Sequence, residues 1–149
     1  MHDNLRKKVI TSPSGEKRCP MKYFGLLGRF LFGLIFLTAG PSHFKVGTIA
    51  FAGAQGVPWP SLAVPLSGII AMLGALSIIL GYRAKWGAWL LVLFLVPVTL
   101  SMHRFWGIAD HQMAMLQQIM FMKNVAMLGA ALLIATVGSG PLSLKQIRD

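Results

Sequence analysis

Four long apolar stretches, with no acidic residue in any of them, decide what this chain can become. They run from Tyr23 to Gly40, Leu62 to Gly81, Trp86 to Met102, and about Ile119 to Val137. At about 1.5 Å per residue, a helix over each is roughly 25–30 Å long, close to the thickness of a bilayer's hydrocarbon core. Runs of this length are too long for β-strands, and they lack the alternation of an outer-membrane barrel. Backbone N–H and C=O groups find no partners in lipid, so each run must satisfy its own by forming a helix. The expected fold is all-α: an integral membrane four-helix bundle.

Charge supports lipid as the solvent. Only 12% of the 149 residues are charged, against about 25% in soluble domains. A formal net charge of +10 would suit nucleic acid, but the placement of the basic residues argues against such a partner. Arg6, Lys7, Lys8, Lys17, Arg18 and Lys22 precede the first run. Arg83 and Lys85 join the second to the third, and Lys145 and Arg148 follow the fourth. The opposite side holds Lys45 and Arg104. This positive-inside bias places both termini in the cytoplasm, as an even number of spans requires. Residues 1–22 read as a mobile basic cytoplasmic tail, 23–144 as the four-span domain and 145–149 as a cytoplasmic end. Met21 is an alternative start. The apolar run after Lys22 is longer than the 7–15 residues usual for a signal-peptide core. Cys19 is the only cysteine, so no internal disulfide or CxxC pair can form.

Finer features follow from the same runs. Tyr23, Tyr82, Trp86 and Trp89 fall at the expected inner boundary and Trp59 and Trp106 at the outer one, as amphipathic rings prefer. Ser67, Ala71 and Ala75, and separately Ala126 and Ala130 beside Gly129, repeat at helical spacing and are expected to line close helix contacts. Pro65 falls in the first turn of its run, where a missing N–H is harmless, whereas Pro97 is expected to kink the third. Residues 45–57 suit a short interfacial helix ended by Gly56. Residues 103–118 read as a polar connection into the last run.

Few residues here could carry chemistry. Arg29 and Lys123 are cations inside apolar runs, and an intramembrane charge needs a partner or a function. Arg29 lies close enough to the inner boundary to snorkel to lipid phosphate. Lys123 is followed by Asn124, and the pair suggests a polar pocket between helices for an anion, a quinone carbonyl or a partner's carboxylate. His43, His103 and His111 lie on the expected outer side, with His43 and His103 near the bundle mouth. With Asp110 they offer metal ligands, but their spacing matches no compact metal motif, and no metal is assigned. A histidine there could instead exchange a proton with a quinone. No glycine-rich phosphate loop, HExxH or Ser/His/Asp arrangement is present, so nothing supports a free-standing soluble-type enzyme.

The stretch from Gly28-Arg29-Phe30 to Gly40, then Gly56-Val57-Pro58-x-Pro60, Pro65-Leu66-x-Gly68 and Leu80-Gly81-Tyr82-Arg83 follow one another in a recognisable order. So do Phe121-x-Lys123-Asn124-x-Ala126-x-Leu128-Gly129 and Gly138-x-Gly140-x-x-Ser143-Leu144. Over residues 24–144 this resembles the DoxX family of small four-helix membrane proteins. The departures are Ala71, where the family often has glutamate, His43, where it often has lysine, and Met120, where it often has histidine. The resemblance implies a bacterial plasma (inner) membrane protein. It also implies a place near electron transfer, since relatives include a subunit of an archaeal thiosulfate:quinone oxidoreductase. The expected function is a non-catalytic or quinone-contacting membrane subunit of a redox complex. Its surroundings would be the lipid bilayer and other membrane or redox subunits, and a homo-oligomer is compatible with the sequence. Ligand-binding candidates are Lys123, Asn124, His43, His103, His111 and Arg29, with quinone as the candidate cofactor. A small-molecule or lipid transporter and a purely structural subunit are the competing readings. The absence of an intramembrane acid argues against ion-coupled transport.

Overall fold

A computed structural model describes residues 21–140 and 142–144. The cytoplasmic tail expected over 1–22, with Cys19, and the end expected over 145–149 lie almost wholly outside the described residues. Among the described residues five α-helices follow in order: α1 (Met21–Ala39), α2 (Val46–Ala54), α3 (Pro60–Leu80), α4 (Ala84–Met102) and α5 (His111–Val137), with a 3-10 helix (Gly40–Phe44) joining α1 to α2. Tyr23–Phe44, α3, α4 and α5 are each long and apolar enough to span a bilayer, and α2 is the expected short helix outside the spans.

Local chemistry sets the boundaries. Pro60 occupies the first turn of α3, where its fixed φ is pre-organised and its missing N–H costs nothing. That helix therefore starts two residues earlier than the apolar run, and Pro65 sits in its interior rather than its first turn. Gly81, at φ +69°, ends α3, and Arg83, at φ +50°, begins the next helix. Two left-handed residues in three reverse the chain into a tight α3–α4 hairpin. α4 continues unbroken through Pro97 to Met102.

α5 differs most from expectation. It begins at His111, eight residues before the apolar run, because the carboxylate of Asp110 accepts a hydrogen bond from the Met113 N–H at 2.8 Å. That N-cap satisfies one of the donors a helix start leaves open, so the helix nucleates in the polar segment and enters the apolar one already formed. Its 27 residues span about 40 Å, more than a hydrocarbon core of about 30 Å requires.

Each span packs chiefly on its neighbour in chain order: α1 on α3, α3 on α4, and α4 on α5. The core is built from Phe36, Ala71, Ala75, Ile78, Ala88, Leu91, Phe94, Leu95, Ala131 and Ala135. Small residues let the backbones meet, as membrane helices need. A Cβ on Gly74 would lie 2.8 Å from the Gly87 carbonyl oxygen, and a Cβ on Gly87 equally close to that of Gly74. Ala71 and Ala75 are buried as expected. The stripe on the last helix is not the expected one: Ala126 and Gly129 face outward, and Asn124, Ala131 and Ala135 face the core. Large apolar side chains such as Leu31, Leu73, Leu93 and Leu133 are exposed on the flanks, which only lipid tolerates at this density.

Candidate functional site

At the end of the bundle that carries α2, the helices part around a cavity of about 580 Å³. α1 and the 3-10 helix contribute Phe36 and His43, α2 contributes Thr48 and Phe51, and α3 contributes Ser67. α4 contributes Phe94, Ser101 and Met102, and α5 contributes Gln117, Lys123, Asn124 and Met127, with His103 just past the end of α4. The walls are mainly apolar, and the polar groups are few and convergent, the usual make-up of a small-molecule site.

Four of the six sequence candidates therefore meet in one cavity: His43, His103, Lys123 and Asn124. His43 reaches it because Gly68 leaves room. A Cβ on Gly68 would stand 2.7 Å from the His43 Cβ. The His43 ring packs edge-to-face on Phe94, with centroids 5.6 Å apart. Its Nδ1 lies 3.3 Å from the Ala39 carbonyl oxygen. A carbonyl can only accept, so the proton of that contact belongs to Nδ1, and in a neutral ring Nε2 keeps its lone pair. His103 repeats the arrangement, with Nδ1 3.0 Å from Oε1 of Gln117. Both imidazoles are thus oriented by a carbonyl partner on one nitrogen, and each has Nε2 available as an acceptor.

The His103–Gln117 contact marks where α5 passes the end of α4. Lys123 is six residues further along α5, or about 9 Å deeper. Its ammonium meets only the weak acceptor Met120 Sδ, at 3.4 Å, and lies exposed at the cavity edge. Asn124, turned about 100° around the helix axis, points inward and is 5% exposed. Its side-chain amide makes no hydrogen bond among the described residues, although buried amides are normally paired.

His111 and Arg29 lie elsewhere. His111 is the exposed first residue of α5 and does not line the cavity. Among the described residues no three His, Cys, Asp or Glu side chains converge, so the outer histidines and Asp110 do not assemble into one ligand set. Arg29 does not snorkel. It is 6% exposed, and its Nη2 donates to the Leu142 carbonyl at 2.7 Å, at the opposite end of the bundle from the cavity. Folding inward gives the guanidinium Nη2 a carbonyl acceptor on the chain after α5.

Sequence reasoning missed Gln117, Thr48 and Ser67 as cavity groups. Nothing local distinguishes them from ordinary polar residues. Gln117 gains a role only because the end of α4 comes to rest beside it.

A bundle of four lipid-facing helices around an off-centre, mainly apolar cavity is a multi-pass membrane protein. The DoxX family model matches residues 24–104, more than half of the chain, and the chain belongs to that family. Its closing helix lies beyond the matched stretch. The chain is 30% identical to the inner membrane protein YphA of Escherichia coli (strain K12) over 121 residues, 80% of this chain and 86% of that protein. It is 28% identical to the inner membrane protein YqjF of the same organism over 124 residues, 82% and 89% of the two chains. No solved structure matches it. Four apolar spans and inner-membrane relatives place the chain in the bacterial inner membrane.

Proposed function

We propose that this protein is a non-catalytic, quinone-contacting membrane subunit of a redox complex, holding a quinone-like head group in the cavity between α1, α3, α4 and α5. The observation that carries the reading is Asn124: a buried amide, aimed into an apolar cavity and without a hydrogen bond among the described residues. Its polar atoms stay open to the cavity, where a ligand carbonyl or hydroxyl would take the place of water on them. Lys123 adds a donor at the mouth, and Nε2 of His43 and of His103 add acceptors. A flat ring bearing two carbonyls and an isoprenoid tail suits this set, because its head needs few hydrogen bonds and its tail can leave toward lipid. The cavity volume lies within the range of about 300–1,000 Å³ usual for small-molecule sites. An ion-coupled transporter is less well supported. Asp110, outside the four apolar runs, is the only carboxylate side chain among the described residues.

The experiment compares the parent protein with Lys123→Met and Asn124→Leu, each checked for thermal unfolding in detergent, for co-purifying quinone and for binding of a short-chain quinone. Each substitution is expected to weaken binding, Lys123→Met by roughly 1.5–3 kcal/mol, or about 10- to 150-fold. Equal quinone content and affinity in all three proteins would leave the structural-subunit reading in front.

A further inference from the structure

The other end of the bundle carries a second cavity, of about 680 Å³, between the start of α4 and the chain that follows α5. Arg83, Lys85 and Trp86 line it from one side, and Ser139 and Ser143 from the other. We propose that it binds the phosphate of an anionic phospholipid head group, a site separate from the quinone cavity and independent of that reading.

Three features converge. The first is positive charge with no carboxylate beside it among the described residues. Among the described residues the only carboxylate side chain is that of Asp110, which caps α5 at the far end. Lys85 is also positioned: its Cε would lie 3.1 Å from a Cβ on Gly138, so the stem of the side chain lies over that glycine beside the cavity.

The second is the start of α4. Its N-cap, Arg83, makes no side-chain capping bond, and the open amides and helix dipole at such an end favour an anion. The third is Ser143, which points to a ligand independently of the other two. Its residue is 3% exposed, it lines the cavity, and its hydroxyl makes no hydrogen bond among the described residues. Arg29 fixes this segment by binding the neighbouring Leu142 carbonyl, so the hydroxyl is held in place rather than carried on a free strand. A phosphate oxygen would accept from Ser143, from Lys85 and from the first amides of α4 together.

The lipid source follows from the rim. Trp86, 71% exposed, and Val137 flank the cavity and continue into the apolar faces of α4 and α5. Acyl chains lying along those faces would bring a head group to this level, where exposed Trp and Tyr rings prefer to sit. Basic pockets between spans recognise anionic head groups in the same way.

The full chain is titrated in detergent by native mass spectrometry with phosphatidylglycerol and with phosphatidylcholine of the same acyl chains. The parent is expected to retain phosphatidylglycerol preferentially, and millimolar inorganic phosphate should not displace it. Arg83→Asn, which tolerates the left-handed backbone there, and Lys85→Met should each weaken retention about fivefold, and together roughly 30-fold. Ser143→Ala, which changes no charge, should also lower it while leaving thermal unfolding and quinone binding unchanged. Equal retention of the two lipids, or an unchanged preference in Ser143→Ala and the double variant, overturns the proposal. Displacement by inorganic phosphate overturns the lipid source.

Discussion

A guanidinium on an apolar helix can escape hydrocarbon by reaching the headgroups or by finding carbonyl oxygens inside the protein. Arg29 takes the second route, and Gly81 makes it available. At φ +69° Gly81 adopts a backbone that other residues resist, and a Cβ there would collide with Arg29 Nη1 and Ser143. One hydrogen atom's worth of space lets α1, the α3–α4 turn and the chain after α5 meet at a point. Arg29→Met should therefore lower stability in detergent by about 1.5–3 kcal/mol, the range for hydrogen bonds from charged groups. It should also speed proteolysis after α5. Arg29→Lys should recover little, since an ammonium cannot reproduce the fixed geometry of the guanidinium. Unchanged unfolding and proteolysis in Arg29→Met would mean that the Leu142 contact contributes nothing. Arg29 was conspicuous in the sequence as a charge in an apolar run, yet its partner was not. Leu142 is 113 positions away and contributes only a carbonyl, which every residue possesses.

At the scale of elements, α3 and α4 approach backbone to backbone. The Cβ of a residue replacing Gly87 would stand 2.6 Å from Ser77 Cβ and 2.8 Å from the Gly74 carbonyl oxygen. Gly87→Val is expected to force the helices apart and to cost about 1–3 kcal/mol, the range for overpacking. Gly129 on α5 is the matched control. A Cβ there meets nothing within 4 Å, so Gly129→Ala should be neutral or stabilising by about 0.5–1 kcal/mol. Thermal unfolding of the two variants in detergent checks both, and equal effects would contradict the packing described. Ala71→Phe and Ala75→Phe test the same principle at two further buried positions of α3. Both side chains are buried, and both variants should lose stability. Spacing alone revealed the small-residue face of α3, because small residues and buried positions coincide there. It misassigned α5, where Ala126 and Gly129 are small but lie outside the core. Smallness permits close packing without saying which side of a helix has a neighbour.

At the scale of the molecule, the two ends differ in character. One carries α2, the cavity lined by His43, His103, Lys123 and Asn124, and the aromatic cluster of Phe105, Trp106 and Phe121. The other carries the α3–α4 turn with Arg83 and Lys85. The ten-to-two distribution of Lys and Arg along the chain predicts that the basic end faces the cytoplasm. In a Cys19→Ser background, Gln112→Cys should react with an impermeant maleimide added to intact spheroplasts, whereas Lys145→Cys should react only after lysis. The reverse pattern would invert the orientation and place the cavity that holds Asn124 near the cytoplasmic surface.

The sequence by itself determined the number of spans, the helical class and the short helix after the first span. All three follow from how long an apolar run is and from the need of every backbone group for a partner in lipid. It also singled out Lys123, Asn124, His43 and His103, because polar groups in or beside apolar helices are conspicuous wherever they point. Only the tertiary structure decided that these four share a cavity while His111 and Arg29 do not. It alone set the start of α5 at Asp110 and brought Gln117 against His103 and Ser143 against Gly81. Those relations join residues distant in the chain through helix rotation and the depth at which neighbouring spans end, and neither quantity is written in the composition or spacing of a single run.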